Sequence, residues 1–469
     1  MSPQERIGLF RSLFRGREDV YAHRIQFKRT GEWGYRPHGE HDWAALRGVR
    51  EEDWKSIDRQ TRKLFPLTDE VIKRHLTGKM TVGLYPLLAD ETCWLLAADF
   101  DKMTWEEDAL AFIATCHRSG FAAYLERSRS GNGGHAWIFF ERPIAAALAR
   151  KLGCAMLTRT MECRHQIGLD SYDRFFPNQD TLPKGGFGNL IALPLQWAPR
   201  QNGNSVFVDE NLRAYEDQWQ LLAAVKRVAV DQAEWIVNEA ARRNQVMGVR
   251  MALSDDADFA PWALPPSKEP KSSRIPGPFP ECVEIVQSNL VYVPKSGLPE
   301  AMLNRIQRLA AFQNPEFYKY QAMRLPTYDK PRIIHCGEEM GKFLAIPRGC
   351  LQELRALLED HGIGMRLRDE RNSGAPIEVR FEGTLREEQS TAIQQVLQHD
   401  EGILCAPTAF GKTVVASKII ASRQVNTLVL LHRQSLLDQV AGTACDVPES
   451  AEEVHWTCGR RQGVADRPD

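Results

Sequence analysis

The chain has 469 residues and a mass of 53.2 kDa, more than one typical core, and at about 150 residues per domain it has room for roughly three. Apolar residues at 43% and charged residues at 26% exclude a disordered chain, and ordinary use of glycine (33) and proline (26) excludes a collagen-like or low-complexity one. The net charge is −1, so any grip on a polyanion must come from local basic patches rather than from the field of the whole chain. No apolar run approaches the ~18 residues of a membrane helix, and the charged opening MSPQERIGLFRSLFRGRED carries no secretion signal. The ten cysteines include no CxxC pair, which points to reduced thiols in a cytoplasmic protein and away from a disulfide framework or a zinc ribbon.

The most informative stretch is 93–160. Cys93–Phe100 (CWLLAADF) reads as an apolar strand ending in acid, and Trp105–His117 as an amphipathic helix with Leu110, Ile113 and Cys116 on one face. Phe121–Glu126 and His135–Phe140 (HAWIFF) read as two strands joined by the turn residues Ser130–Gly134 (SGNGG), with a helix at Ala145–Thr160 and a last strand after Gln166. Strand, helix, strand, strand, helix, strand is the ferredoxin-like split βαβ plan. A helical stretch at Tyr215–Gln245, with Trp219, Leu222, Val225 and Val228 near helical spacing, is expected to pack against this domain.

Two features here carry chemistry. In Asp99-Phe100-Asp101 the carboxylates are two residues apart, so a strand places them on one face, where they repel unless a divalent cation lies between them. Hard oxygen ligands select Mg²⁺ or Mn²⁺, and two such ions can clamp the attacking and leaving oxygens of a phosphoryl transfer. Alone, this DxD could equally be two acids facing water at a strand end, and sugar-nucleotide transferases use it as well. The second feature is the hairpin Arg127–His135 (RSRSGNGGH). Glycines such as Gly133 and Gly134 let backbone N–H groups approach phosphate oxygens, and Ser130, His135, Arg127 and Arg129 add donors. In the split plan the His135 strand lies beside the Asp99 strand, which brings His135 near the carboxylates.

DFD, SGNGGH before an apolar strand, SYDRFFPNQD and GGFGNLIALPLQ together resemble the archaeo-eukaryotic primase superfamily, and most closely the primase domain of TOTE conflict systems, fused to a helicase. The resemblance runs from about Ile7 to Val228. It implies that Asp99, Asp101 and a third acid bind the divalent metals, and that His135, supported by Ser130, contacts the triphosphate of an incoming NTP or dNTP. Asp170 and Asp173 both compete for the third place, with Asp170 slightly favoured; as a strand, LDSYDR would put them on opposite faces. Arg174, Lys184 and Asn189 are candidate nucleotide or template contacts. Members of this family often carry cysteines near the segment matching Gly34–Leu64, where this chain has none, and His38 with His41 makes a poor site, so no structural zinc is expected.

Pro261–Pro280 holds seven prolines in twenty residues and reads as an extended linker. A mixed α/β accessory segment follows, with aromatics among basic residues in NPEFYKYQAMRLPTYDKPRII that suit either nucleic acid or plain packing, and a second boundary is read near Arg366–Pro376. Beyond it, GILCAPTAFGKT reads as an apolar strand, a phosphate-binding loop and a helix start. Gly411 stands in the loop, with Lys412 placed for the β/γ-phosphates of ATP and Thr413 for Mg²⁺. Ala406 replaces the first glycine, as in superfamily 2 helicases, whose pattern would give Gln389 to adenine recognition and Thr427–Gln439 to the next strand and loop. Only 57 residues follow Lys412, with no DExx motif, and Val447–Asp469 shows neither periodicity nor motif.

The expected organisation is therefore an α+β primase palm at 1–250, a linker at 251–280, an α/β accessory domain at 281–380, and an incomplete RecA-like P-loop domain at 381–469 from which ATP turnover is not expected. The leading function is a primase or polymerase-type nucleotidyltransferase acting on DNA, as single-stranded template or primer–template, with other conflict-system proteins as further partners. The alternatives are an ATP-dependent helicase component, or a catalytically silent nucleic-acid binder.

Overall fold

A computed structural model describes residues 1–431 and 436, apart from 29, 51–52, 55–56, 59–60, 244, 247–274 and 276. The chain divides into two compact units, Met1–Asp369 and Glu370–Asp469. Most of the proline-rich segment and all of 447–469 lie outside the described residues.

The first unit is built on a five-stranded sheet in the order 206–207, 124–127, 134–145, 92–100, 175–176. Every neighbouring pair in it is antiparallel. The apolar residues of Thr92–Phe100 run almost continuously and all but Trp94 are buried, as expected of a strand with packing on both faces. Helices Trp105–Arg118 and Ala146–Met161 pack against it. On the face shared by Trp137 and Phe139, the ring of Phe14, just after the N-terminal helix Pro3–Leu13, stands edge-on to both at 5.1 and 5.5 Å, which closes part of that face. The polar ends of the central strands lie beyond this apolar floor. A smaller four-stranded sheet (191–192, 82–84, 22–26, 33–37) stands beside it.

The stretch expected as one helix over Tyr215–Gln245 is instead two, Gln218–Ala223 and Val230–Arg242. The break has a cause outside the segment: Val228 bridges to Phe140 and donates its N–H to the Phe139 carbonyl at 2.7 Å, so the chain is extended where a helix would continue.

Residues 282–369 form a second five-stranded sheet (338–340, 343–346, 291–294, 282–287, 364–369) with its own core of Ile285, Val293, Ile306, Leu354 and Leu358. Arg366–Asp369, the start of the polar run near which the second boundary is read, is part of an edge strand paired in parallel with Cys282–Gln287. This region packs in the same unit as the first sheet. Buried Arg308 donates to the hydroxyl of buried Tyr172 at 2.9 Å, and Arg324 pairs with Glu91 at 2.6 Å.

In the second unit, helices Glu387–Leu397 and Lys412–Arg423 pack together. The strand expected at Gly402–Ala406 has no ladder partner among the described residues, and Ile403 is 97% exposed. A P-loop strand is normally held by parallel neighbours on both sides, and its apolar run alone does not make it a strand.

Candidate active site

Sheet register builds the centre of the site. Glu126 and Asp99 both lie directly opposite His135, on the strands to either side of it. Residues opposite one another in an antiparallel pair point to one face, so Glu126, His135 and Asp99 form a row across three strands. His135 donates through Nδ1 to Glu126 Oε2 at 2.9 Å, and Nε2 stands 3.7 Å from Asp99 Oδ1. The same Glu126 oxygen accepts from Trp137 Nε1 at 2.9 Å. Burial pulls the imidazolium of His135 down, yet the charge and hydrogen bond of Glu126, with Asp99 added, outweigh it and leave its pKa raised. Burial also raises Asp99; His135 opposes that rise and Asp101 adds to it.

Glu126 was not among the residues singled out from sequence. It is 2% exposed, and acids are almost never fully buried without a partner. The available signal was a carboxylate inside the strand-forming run AAYLER, one residue beyond the apolar pair Tyr124-Leu125.

Asp101 follows at the strand end, half exposed, and the Arg174 guanidinium bonds it while standing 3.5 Å from Asp170. Lys102 holds the other Asp170 oxygen at 2.7 Å. Leu169–Asp173 is a 3-10 turn rather than a strand, so the two acids are not set by alternation. Asp173 turns to the 282–369 region, where both its oxygens accept the backbone N–H of Arg332 at 2.9 and 3.0 Å. The geometry thus brings Asp170 to the cations beside Asp99 and Asp101, and takes Asp173 away.

Among the described residues, no group of three or more His, Cys, Asp or Glu is arranged to hold a metal ion. The donor set of Asp99 and Asp101 nevertheless suits a hard divalent cation: two carboxylates i and i+2, one of them with its pKa raised partly by the other. Arg174 and Lys102 compensate the negative charge around them.

The hairpin meets this strand end closely. A Cβ on Gly133 would stand 2.6 Å from the Phe100 carbonyl, and one on Gly134 would meet the Trp105 ring at 2.6 Å. Gly131 has φ +82°, which completes the turn. Ser130 is exposed, and its hydroxyl accepts the Asn132 N–H. Buried Nε of Arg129 has no hydrogen-bond partner. Asn189 is used structurally: its amide donates to the Phe175 carbonyl at 2.8 Å and accepts the Asn178 N–H at 3.2 Å, bracing the loop beside the site. Lys184 is exposed, with its backbone N–H on the Arg324 carbonyl.

In the second unit, Gly411 adopts φ +87° immediately before the helix that begins at Lys412, and Lys412 Nζ donates to the Pro407 carbonyl at 2.9 Å. Gln389 is buried and braces the same loop, donating to the Phe410 carbonyl at 2.7 Å and accepting from the Arg386 N–H at 3.0 Å. Thr413 follows in the first helical turn.

Residues 5–236 match the family model "TOTE conflict system, Archaeo-Eukaryotic Primase domain". This part of the chain is a TOTE-type primase domain. Downstream of the primase domain, residues 382–460 match "Type III restriction enzyme, res subunit". A protein of Invertebrate iridescent virus 3 that carries a helicase name (109L) is 40% identical over 76 residues, 15% of this chain. The chain spans 23% of that relative's length. The TOTE primase domain is thus fused to a helicase-like segment, and the family of the first part supports a nucleotidyltransferase-type function. No helix among the described residues is long and apolar enough to cross a membrane.

Proposed function

We infer that the TOTE primase domain is a split-βαβ palm that transfers a nucleoside monophosphate from a bound NTP or dNTP to a 3′-hydroxyl, directed by a DNA strand. The row Glu126–His135–Asp99, with Asp101 at its open end, carries this reading. The 3′-hydroxyl gives its proton to solvent water as its oxygen bonds the α-phosphorus, the bond to the α–β bridging oxygen breaks, and pyrophosphate leaves.

Asp99 and Asp101 would hold Mg²⁺ or Mn²⁺, with Asp170 as the third carboxylate. Bound there, a divalent ion offsets the charge that develops on the reacting oxygens. His135, its pKa raised by Glu126 against burial, presents Nε2 to a triphosphate oxygen. Glu126 holds the ring plane through its hydrogen bond to Nδ1. Ser130 stands on the same hairpin, and the absence of a Cβ at Gly133 and Gly134 lets that hairpin close against Phe100 and Trp105, which sets His135 beside the carboxylates. Arg174 balances the carboxylates and stands within reach of an anion bound beside them. In the helicase-like segment, Lys412 would hold the β/γ-phosphates of ATP and Thr413 the Mg²⁺ that accompanies them, and Gln389 supports their loop.

The test is extension and de novo priming by the purified chain with Mg²⁺ or Mn²⁺. Asp99→Ala and Asp101→Ala should each abolish incorporation; unchanged incorporation by both variants overturns the assignment.

A further inference from the structure

The hairpin formed by Ala22–Gln26 and Trp33–Pro37 carries a feature that the carboxylate site does not use. Trp33 is 56% exposed, and the Arg24 guanidinium lies over its ring, 4.4 Å from the centroid. Register sets Arg24 opposite Tyr35 and Gln26 opposite Trp33, so all four side chains share one face of the ribbon. Gln26 ties that face to the turn by donating to the Gly31 carbonyl at 2.7 Å.

This face adjoins the hairpin of the site. Burial lowers the pKa of Arg24, and the like charge of Arg129 lowers it further. Tyr35 is raised by burial and feels Arg129, Arg24 and Glu126. Neither Arg24 nor Arg129 has a carboxylate partner among the described residues, whereas Arg17, Arg62 and Arg174 are each paired with an aspartate. Two unpaired guanidinium groups that repel one another are costly unless an anion joins them. Between His23 and Pro37 the sequence has four basic residues, Arg24, Lys28, Arg29 and Arg36, against the single acid Glu32, in a chain of net charge −1.

We propose that the Arg24–Trp33 face is a grip for single-stranded DNA entering the site, Trp33 stacking on a base while Arg24 and Arg129 hold adjacent phosphates. A flat ring with a cation above it and like charges beside it is the chemistry of an unpaired nucleotide. The assignment of DNA rests on the nucleotidyltransferase reading; the chemistry of the face does not.

The test is fluorescence anisotropy of a single-stranded DNA of about 15 nucleotides with the full chain, without metal or nucleotide. Trp33→Ala should weaken binding about tenfold, and Trp33→Phe should restore most of it. Arg24→Gln should weaken binding and lower the slope of log Kd against log salt by about 1. Wild-type affinity in both Trp33→Ala and Arg24→Gln overturns the grip, even if Asp99→Ala has abolished incorporation and the catalytic reading stands. Weakened binding in both supports it, even if Asp99→Ala incorporates normally and the catalytic reading falls. Trp33 is more than half exposed, so its substitution leaves the core intact, and a matching thermal melt checks this.

Discussion

Replacing Glu126 tests whether His135 is held or merely placed. One Glu126 oxygen accepts two hydrogen bonds of 2.9 Å in a site where the side chain is 2% exposed. A hydrogen bond to a charged group is worth about 1.5–3 kcal/mol and an orphaned buried donor costs about 1–3 kcal/mol. Glu126→Leu orphans both Nδ1 of His135 and Nε1 of Trp137, so it should destabilise the chain by about 2–6 kcal/mol. Glu126→Gln keeps the shape and one acceptor oxygen but removes the charge facing the imidazolium, at about 1–2 kcal/mol. The double-mutant cycle of Glu126→Gln with His135→Ala, read by urea unfolding of the full chain, isolates their pairing and should give about 1–3 kcal/mol of coupling. A ring released from Glu126 should also raise KM for the nucleotide about tenfold for each ~1.4 kcal/mol of lost orientation. Coupling below about 0.3 kcal/mol, within the additivity of distant sites, with KM unchanged, would refute the positioning role.

His75 is fully buried, donating Nε2–H to the Pro194 carbonyl at 2.9 Å and accepting the Val82 N–H at Nδ1, and burial pushes its pKa down to about 4. Because an unfolded histidine titrates near ~6.5, its contribution is whole above that pH and is lost as pH falls toward 4. About 3 kcal/mol of stability should go over this window in the wild type and not in His75→Asn; parallel curves for the two would sink the argument. Asp170→Asn should remove incorporation at little cost in stability, since its ion pairs are half exposed, while Asp173→Ala orphans the Arg332 N–H and should cost about 1–3 kcal/mol. Incorporation surviving Asp170→Asn but not Asp173→Asn would instead make Asp173 the third acid. Lys412→Ala should weaken a fluorescent ATP analogue by about tenfold or more, and unchanged binding would remove nucleotide holding from that loop.

Much of the site was legible because its signals are local. A two-residue spacing at the end of an apolar run marks Asp99 and Asp101 as candidates for one face, and SGNGG before HAWIFF announces a hairpin whose far strand returns beside the first. The Gly-Lys-Thr step into a helix is equally local, and the structure begins that helix at Lys412. Glu126 was not legible, since its role exists only because register sets it across from His135, and register depends on the packing of the whole sheet. Asp170 and Asp173 look alike in LDSYDR; a backbone N–H of Arg332, 159 residues further on, separates them. Val228 breaks a helical pattern for the same kind of reason, through a bridge to Phe140.

By itself, then, the sequence determined which chemical groups the chain carries and which local elements present them: paired carboxylates, a glycine hairpin ending in histidine, and a phosphate loop. Only the tertiary structure decided which groups meet, giving His135 its carboxylate on either side, turning Asp173 away from the cations that hold Asp170, and leaving Arg24 and Arg129 without a carboxylate partner among the described residues. Spacing along a chain is written in periodicities of two and 3.6 residues, whereas contacts closed over scores of residues follow from packing and leave no local trace.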